Sequence, residues 1–259
     1  MALAEAKIEG FVGTICLDHI EKRNSLSGAL SDEIIKALDN FLENRVRVVV
    51  LRARSGVKIW CAGHDVDELP EGHRDPLGWY DSLKRLVRAI ENHPAPVIAM
   101  IEGGVWGGGC EMAMACDIVV AAPNATFALT PAKLGVPYNV AGMLTLLNSA
   151  SLRIIKEMVF TAMPITAERA LQAGLINHLV APEDLEPFTY AMAADIVANA
   201  PLSIAVMKEE LRILAGAHPM SPQGWERVQG LRRVVYDSAD YVEGLKAFKE
   251  KRKPVYRGE

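Results

Sequence analysis

The stretch that decides the fold is Glu102-Gly-Gly-Val-Trp-Gly-Gly-Gly-Cys-Glu-Met-Ala-Met-Ala-Cys-Asp117, which carries five glycines in seven positions. Glycine at this density costs backbone entropy unless the chain needs unusual dihedral angles or close approach. The glycines follow a predicted buried strand at Val97–Ile101 and open a predicted helix at Gly108–Cys116. At a helix start, free N–H groups and the helix dipole favour negative charge. The stretch therefore predicts either a site for a developing oxyanion or tight packing of a helix on a sheet.

Two other segments carry a similar signal. The first, Lys58-Ile-Trp-Cys-Ala-Gly-His-Asp65, runs from a strand end through Gly63 into a short helix-like turn at Asp65–Leu69. Free N–H groups at such a turn can bind an oxygen, although many strand-to-helix turns do not. The second, Leu129-Thr-Pro-Ala-Lys-Leu-Gly-Val-Pro-Tyr-Asn139, predicts a rigid loop before a helix at Asn139–Asn148. Alone, it indicates only a loop.

Apolar patterning along the rest of the chain predicts an α/β fold. Apolar runs predict further strands at Val12–Leu17, Val46–Arg52, Ile118–Ala122 and Ile176–Val180. Helical spacing predicts helices at Ser31–Leu42, with Ser31 as N-cap, and at Tyr80–Glu91, Asp184–Ala198, Leu202–Ala215, Gly224–Tyr236 and Val242–Lys251. Strands alternating with helices imply right-handed crossovers. We expect an α/β core over residues 1–195 and a helical region over residues 196–259 that serves assembly or closes a site.

Composition excludes several classes of function. The 259 residues include 28 Lys and Arg against 32 Asp and Glu, so no basic excess favours a nucleic acid. The longest apolar region, Val97–Ala122, is interrupted by Glu102, Glu111 and Asp117 and does not suit a membrane span. The charged N-terminus is unlike an export signal, which favours the cytoplasm. The six histidines lack metal-ligand spacing, so we expect no metal site.

The three segments together resemble the crotonase (enoyl-CoA hydratase/isomerase) superfamily over almost the whole chain. The hallmarks are Ala62-Gly-His-Asp65 and Gly107-Gly-Gly-Cys-Glu111, about 45 residues apart, with Phe248-Lys-Glu-Lys-Arg-Lys253 similar to the family's end helix. The resemblance implies a right-handed spiral of β-β-α turns with a helical C-terminal region. It also implies a homotrimer or a dimer of trimers and an acyl-CoA thioester substrate, with coenzyme A as part of the substrate and no separate cofactor.

The resemblance assigns residues to the substrate. The two oxyanion-hole amides fall on His64 and Gly108. The coenzyme A nucleotide would lie along Ala62, Gly63, His64, Asp65 and Val66. Phe248 and Lys251 would approach it from a neighbouring subunit, although the charges around Lys251 also suit a solvated helix end.

The reaction depends on the carboxylates. Hydratases of the family use two glutamates; Glu111 occupies the first position, whereas Pro131 occupies the second. A missing acid–base partner argues against hydration. The chain resembles more closely the methylmalonyl-CoA decarboxylase branch, through Val105-Trp-Gly-Gly108, Leu129-Thr-Pro131 and Leu134-Gly-Val-Pro-Tyr-Asn139. We therefore expect loss of CO₂ from methylmalonyl-CoA to give propionyl-CoA, through an enolate held by backbone amides.

In this hypothesis the Tyr138 hydroxyl binds the departing carboxylate, with Thr130 and the His64 side chain nearby. Each assignment has an alternative: His64 contributes only its amide, Tyr138 only packs, and Glu111 is a vestige that stabilises the helix start. Two other functions also stay open. One is hydration or isomerisation with Glu111 as the acid–base group, and the other is a non-catalytic module that binds CoA esters.

Overall fold

Two sheets form the frame of the protein in a computed structural model, which describes residues 2–78, 80–217 and 219–258. The strands are β1 Ala4–Glu9, β2 Val12–Leu17, β3 Val48–Ala53, β4 Ile59–Cys61, β5 Val97–Ile101, β6 Gly104–Trp106, β7 Ile118–Ala121, β8 Thr126–Ala128, β9 Ile165–Thr166 and β10 His178–Leu179. One sheet has six strands in the order β1-β2-β3-β5-β7-β10. The other has four, in the order β4-β6-β8-β9.

Helices cover the sheets and form most of the C-terminal third. They are α1 Gly28–Glu43, α2 Ser82–Asn92, α3 Gly108–Met114, α4 Val140–Ser149, α5 Leu152–Thr161, α6 Ala167–Gln172, α7 Pro182–Ala198, α8 Pro201–Ala215, α9 Pro222–Tyr236 and α10 Ala239–Lys249. Three short 3₁₀ helices lie at Ile20–Lys22, Val66–Glu68 and Pro131–Leu134.

The chain passes repeatedly from one sheet to the other. β3 lies in the six-stranded sheet, β4 in the four-stranded sheet, and α2 follows; β5, β6 and α3 repeat the order, and β7 and β8 begin it again. β3, β5 and β7 pair in parallel, as do β4, β6 and β8. This α/β architecture confirms the predicted fold class, and the β-β-α order is the one that the resemblance implies.

The core lies on both faces of the six-stranded sheet. All residues of β3 and β5 are buried, because parallel strands covered on both sides have no solvated face. One face packs against the apolar sides of α1 and α2. The other packs against α7 through Leu185 and Ala193. Burying one Val, Leu or Ile side chain contributes about 1.5–3 kcal/mol, so these continuous apolar strands anchor the fold.

The start of α1 differs from the sequence prediction. The N-cap is Ser27, whose side chain accepts a hydrogen bond from the Leu30 N–H at 3.2 Å. Ser31, predicted as the cap, is buried inside the helix, because the apolar face already begins at Leu30. The prediction also missed β1, whose alternating charged residues form a mostly exposed edge, and the three-residue strands β6 and β8. β4 is the strand end that was predicted before Gly63.

The C-terminal helices are far less buried than the core. α8 has no buried residue, and α9 has only Arg232. Within the described ranges, no single helix is long and apolar enough to cross a membrane. α7 and α8 pass that test only as a pair, and they are bent by 106° at their junction.

Candidate active site

A cavity of about 850 Å³ lies between the two hallmark segments and α10. Its wall is formed by three segments, which we call the cavity wall: residues 62–66, 106–111 and 128–138. At its open end lie the chain around residues 21–25 and the C-terminal residues 248–254. The cavity therefore brings together most of the residues that the sequence singled out.

Two main-chain segments touch at the centre of the wall. Gly63 has φ +90°, and a Cβ there would lie 2.5 Å from the Trp106 carbonyl oxygen and 3.0 Å from the Gly108 nitrogen. Only glycine fits both the left-handed conformation and the close approach. A Cβ on Gly108 would likewise lie 3.3 Å from the His64 nitrogen. The glycines thus bring the His64 and Gly108 amides side by side at the cavity.

These two amides can bind an oxyanion. Within the described chain, neither the His64 N–H nor the Gly108 N–H donates a hydrogen bond, whereas Gly107 donates to the Ala128 carbonyl at 2.8 Å. Gly108 is the first residue of α3, where N–H groups have no partner within the helix. Two fixed N–H donors at one point of a cavity suit the charge that develops on a thioester oxygen.

The His64 ring contacts a residue that sequence reasoning missed. Nε2 lies 2.8 Å from Asp81 Oδ2, and Nδ1 lies 3.1 Å from the main-chain oxygen of Asp65. Burial lowers the pKa of His64, but the hydrogen bond and charge of Asp81 outweigh it and raise the pKa above its usual value. Asp81 is also the N-cap of α2, and this common role gave no hint of a place beside the site.

Glu111 is buried and faces the cavity. Its side chain packs against α4, where a Cβ on Gly142 would lie 2.8 Å from Oε1. Burial, followed by the negative charges of Asp81 and Glu91, raises the pKa of Glu111 to about 7. A carboxyl that is only about half ionised near pH 7 is a weaker partner for the helix dipole than a full carboxylate, which argues against the vestigial role considered for this residue.

Tyr138 and Thr130 lie on the wall beside the glycine segment. The Tyr138 hydroxyl donates to the Gly107 carbonyl at 3.4 Å, and burial raises the pKa of Tyr138 well above its usual value, so the hydroxyl keeps its proton. Both residues line the cavity, as does Pro131 at the start of the 3₁₀ helix Pro131–Leu134. Residues 128–138 carry no carboxylate.

Most, but not all, of the residues predicted to contact coenzyme A line the cavity of this chain. Asp65 is buried, caps the 3₁₀ helix Val66–Glu68 and accepts a hydrogen bond from Lys22 at 3.0 Å. Phe248 lines the cavity of its own chain. Lys251 is exposed and does not line the cavity. α10 ends at Lys249, and Lys251 adopts a left-handed turn with φ +55°. The next two residues, Arg252 and Lys253, line the cavity.

No group of three or more His, Cys, Asp or Glu side chains that could hold a metal ion occurs in the part of the chain that the structure describes. The polar groups around the two amides are instead hydroxyls and the His64 and Glu111 side chains, and Asp81 is hydrogen-bonded to the His64 ring. This set can bind and polarise a carbonyl group, and it can exchange protons near neutral pH.

Comparison with known proteins agrees with this geometry. A family model described as enoyl-CoA hydratase/isomerase matches residues 7–259. Methylmalonyl-CoA decarboxylase of Escherichia coli K12 is 50% identical over 247 residues, 95% of each chain. Carnitinyl-CoA dehydratase of the same strain is 34% identical over 251 residues, 96% of each chain.

Solved structures share the fold. A methylmalonyl-CoA decarboxylase in complex with 2-nitronate-propionyl-CoA superposes with a TM-score of 0.98 at 48% identity, over 99% of both chains. An enoyl-CoA hydratase from Mycobacterium smegmatis gives a TM-score of 0.74 at 27% identity, over 99% of both chains. With the paired glycine segments and the β-β-α order, these matches establish that the chain belongs to the enoyl-CoA hydratase/isomerase family, the crotonases.

Proposed function

We propose that this protein is a carboxy-lyase that converts methylmalonyl-CoA to propionyl-CoA and CO₂. The observation that carries the proposal is a cavity wall with two free amides and a tyrosine hydroxyl beside them but no carboxylate over residues 128–138. The 50% identity to a methylmalonyl-CoA decarboxylase over 95% of both chains supports it. So does the likeness to a structure of that enzyme with 2S-carboxypropyl-CoA, with a TM-score of 0.98.

The oxyanion pair performs the central step. The thioester oxygen accepts hydrogen bonds from the His64 and Gly108 amides. The bond between C2 and the carboxylate carbon breaks, its electron pair forms the enolate and CO₂ leaves. C2 then takes up one proton, which balances the reaction. Because the substrate itself carries the leaving group, no base has to remove a proton first.

The rest of the wall orients the carboxylate. The Tyr138 hydroxyl, which keeps its proton, gives up its bond to the Gly107 carbonyl and donates to the carboxylate before CO₂ leaves. Thr130 offers a second hydroxyl. Pro131 and Val136 give this part of the cavity apolar surface, which solvates a carboxylate poorly and favours its loss. The bond that breaks must stand perpendicular to the thioester plane. The amides on the thioester oxygen and the hydroxyls on the carboxylate together hold it in this orientation.

The C-terminal region, residues 196–259, serves assembly and substrate binding in this proposal. Phe248 lies at the cavity, and the coenzyme A nucleotide runs along residues 62–66. α8 and α9 expose many large apolar side chains, including Leu202, Leu211, Leu214, Leu231 and Val234. So many exposed large apolar side chains favour an interface with another subunit, and with the family resemblance we propose a homotrimer or a dimer of trimers. Light scattering after size exclusion measures the mass directly; a monomer would contradict it.

Product analysis tests the reaction. The protein is incubated separately with methylmalonyl-CoA and with crotonyl-CoA, and the CoA products are identified by mass spectrometry. We expect propionyl-CoA from the first and no hydration of the second. Hydration of crotonyl-CoA without CO₂ release would instead support a hydratase that uses Glu111, which lies in the cavity. Binding of both esters without turnover would support a non-catalytic CoA-ester module.

A further inference from the structure

The His64 ring lies between two hydrogen-bond acceptors. Its Nε2 faces Asp81 Oδ2 at 2.8 Å, and its Nδ1 faces the main-chain oxygen of Asp65 at 3.1 Å. A carbonyl oxygen and a carboxylate oxygen accept hydrogen bonds but do not donate them. The imidazole can satisfy both acceptors only when both ring nitrogens carry a proton. The contacts therefore select the positively charged ring.

Asp81 is anchored so that one carboxylate oxygen remains for this contact. As the N-cap of α2, it accepts the Lys84 N–H through Oδ1 at 3.2 Å. The positive end of the helix dipole favours a negative charge at this position. The second oxygen, Oδ2, is then held toward His64. The two side chains are only 13% and 10% exposed, so water screens their attraction weakly.

Several charged groups surround this pair. Glu68, on the 3₁₀ helix Val66–Glu68, helps to raise the pKa of His64. Glu111 on α3 faces the pair; the charge of Asp81 raises the pKa of Glu111, and the charges of His64 and Lys84 lower it. Glu111 is only partly ionised near neutral pH and does not hydrogen-bond the ring, so Asp81 is the carboxylate that pairs directly with the His64 imidazolium.

We propose that Asp81 is a positioning residue that keeps the His64 ring protonated beside the oxyanion-hole amide of the same residue. The inference rests on the decarboxylation proposed above. During CO₂ loss, negative charge moves from the carboxylate to the thioester oxygen, and a fixed cation on His64 stabilises it there. Both ring N–H groups are already bonded, so the ring supplies charge and does not give a proton to the substrate.

Asp81→Asn is the direct test. Asparagine caps helices as well as aspartate does, so α2 keeps its N-cap, while the side-chain amide can donate to a neutral ring at Nε2. We expect kcat to fall on the order of tenfold to a hundredfold, less than for a lost oxyanion-hole donor, with KM nearly unchanged. The fall in kcat with rising pH should move about one to three pH units lower, because the opposite charge is gone.

A matched control separates this effect from a general loss of charge around α2. Asp32 on α1 pairs with Arg85 of α2 at 2.9 Å and is half exposed, so Asp32→Asn removes an acid that faces α2 but not His64. We expect wild-type kinetics from this variant. His64→Gln keeps the main-chain amide but removes the ring. Adding Asp81→Asn to it should cause no further loss, because Asp81 acts through the ring.

A titration of the ring requires no turnover. In protein labelled at the histidine ring carbons, His64→Gln identifies the His64 signal among the six histidines by NMR. We expect this signal to titrate above the pH of an ordinary histidine in the wild type and to fall in Asp81→Asn. A wild-type ring that titrates at or below the ordinary pH would overturn the inference, even if Asp81→Asn does not fold. So would Asp81→Asn with wild-type kcat and pH profile.

These readouts distinguish the inference from the proposed function. A wild type that releases no CO₂ contradicts the decarboxylase proposal, and with it the stated role of Asp81 in that reaction. Normal turnover with an unperturbed ring contradicts the inference alone.

Discussion

The cavity wall and α8 differ in how tightly they pack against the rest of the chain. In the wall, main-chain atoms approach so closely that a single added carbon at Gly63 would lie 2.5 Å from the Trp106 oxygen. In α8 no residue is buried, and Leu202, Leu211 and Leu214 are each more than two-thirds exposed. The wall is therefore determined by this chain alone, whereas α8 presents a surface that a partner can cover.

The two regions also use charge differently. The wall holds Glu111 and His64 close enough to influence each other's charge, and Asp81 on α2 hydrogen-bonds the His64 ring. α8 contacts the core through Lys208, whose side chain is only 10% exposed: Nζ donates to Asp117 at 2.7 Å and to the carbonyls of Ile90 and Ala95. We therefore expect the close main-chain contacts at Gly63 and Gly108 to tolerate almost no change, and the fold of α8 to tolerate most changes except at Lys208.

The largest expected effect is at Gly63. Gly63→Ala introduces a Cβ at φ +90° against the Trp106 oxygen and displaces the His64 amide from Gly108. We expect the single-turnover rate to fall on the order of a hundred- to a thousandfold, as for loss of an oxyanion-hole donor. The control is Gly174→Ala, at φ +78° with no atom within 4 Å, which should keep the wild-type rate. A folded Gly63→Ala variant with normal turnover would show that the site does not require glycine at position 63.

The next largest effect is expected for Glu111→Gln, on the pH dependence of the unfolding free energy. The pKa of Glu111 is raised from 4.5 to about 7, so between these values the folded protein holds a proton that the unfolded chain has released. Folding stability then falls as pH rises through this window. Glu111→Gln removes the penalty and should be about 3 kcal/mol more stable than wild type at pH 8, with little difference below pH 4.5.

Urea unfolding at several pH values measures this difference. A difference in unfolding free energy between wild type and Glu111→Gln that does not change with pH would contradict a raised pKa of Glu111. The same variant should retain most of its decarboxylase activity, whereas a general acid would lose roughly 10²–10⁴-fold.

Lys208→Met tests the anchor of α8. The substitution removes one hydrogen-bond donor from each of two carbonyl oxygens and from a carboxylate, and we expect a loss of about 2 kcal/mol of unfolding free energy. Arg212→Met, on the same helix, removes a cation that is 42% exposed and pairs with Glu209, and it should change stability by less than about 0.5 kcal/mol. Equal changes in unfolding free energy from the two variants would contradict the proposed role of Lys208 in anchoring α8.

Tyr138→Phe has a smaller expected effect. Loss of the hydroxyl should raise the barrier by about 1–2 kcal/mol, roughly a five- to thirtyfold slower decarboxylation. Affinity for propionyl-CoA should stay unchanged, because the product lacks the carboxylate that the hydroxyl binds. Weaker binding of propionyl-CoA, measured by calorimetry, would indicate that Tyr138 only packs against the glycine segment.

The smallest effect on the folded chain is expected at the exposed face of α8. Leu211→Gln should change the unfolding free energy of the monomer by no more than about 0.5 kcal/mol, because the side chain is 68% exposed. It should nevertheless weaken assembly, seen as a lower mass in light scattering at low protein concentration. Glu210→Gln, also exposed, should leave the mass unchanged.

Sequence patterns predicted the parts that depend on local chemistry. The glycine density identified the oxyanion segment, and continuous apolar runs identified β3, β5 and β7, because both signals are contained in adjacent residues. The start of α1 was placed one turn late, since Ser27 and Ser31 are both good capping residues and only packing distinguishes them. Strands of three residues are too short to show a period.

The charge state of the site was not predictable in this way. Asp81 lies seventeen positions from His64 in the sequence, and an aspartate before a helix is so common as a cap that it carries no functional signal. The raised pKa of Glu111 depends on burial against α4 and on Glu91, which the fold brings near. Such couplings arise only in three dimensions.

The cavity is lined by residues from Glu21 to Pro254, so nearly the whole chain must be in place before it exists. Contacts between residues so far apart in sequence form slowly, since the chain must close long loops to make them. Catalytic activity should therefore be among the last properties to return during refolding, after the secondary structure signal of the sheets. A stopped-flow experiment that follows both signals would show the delay as a lag in product formation.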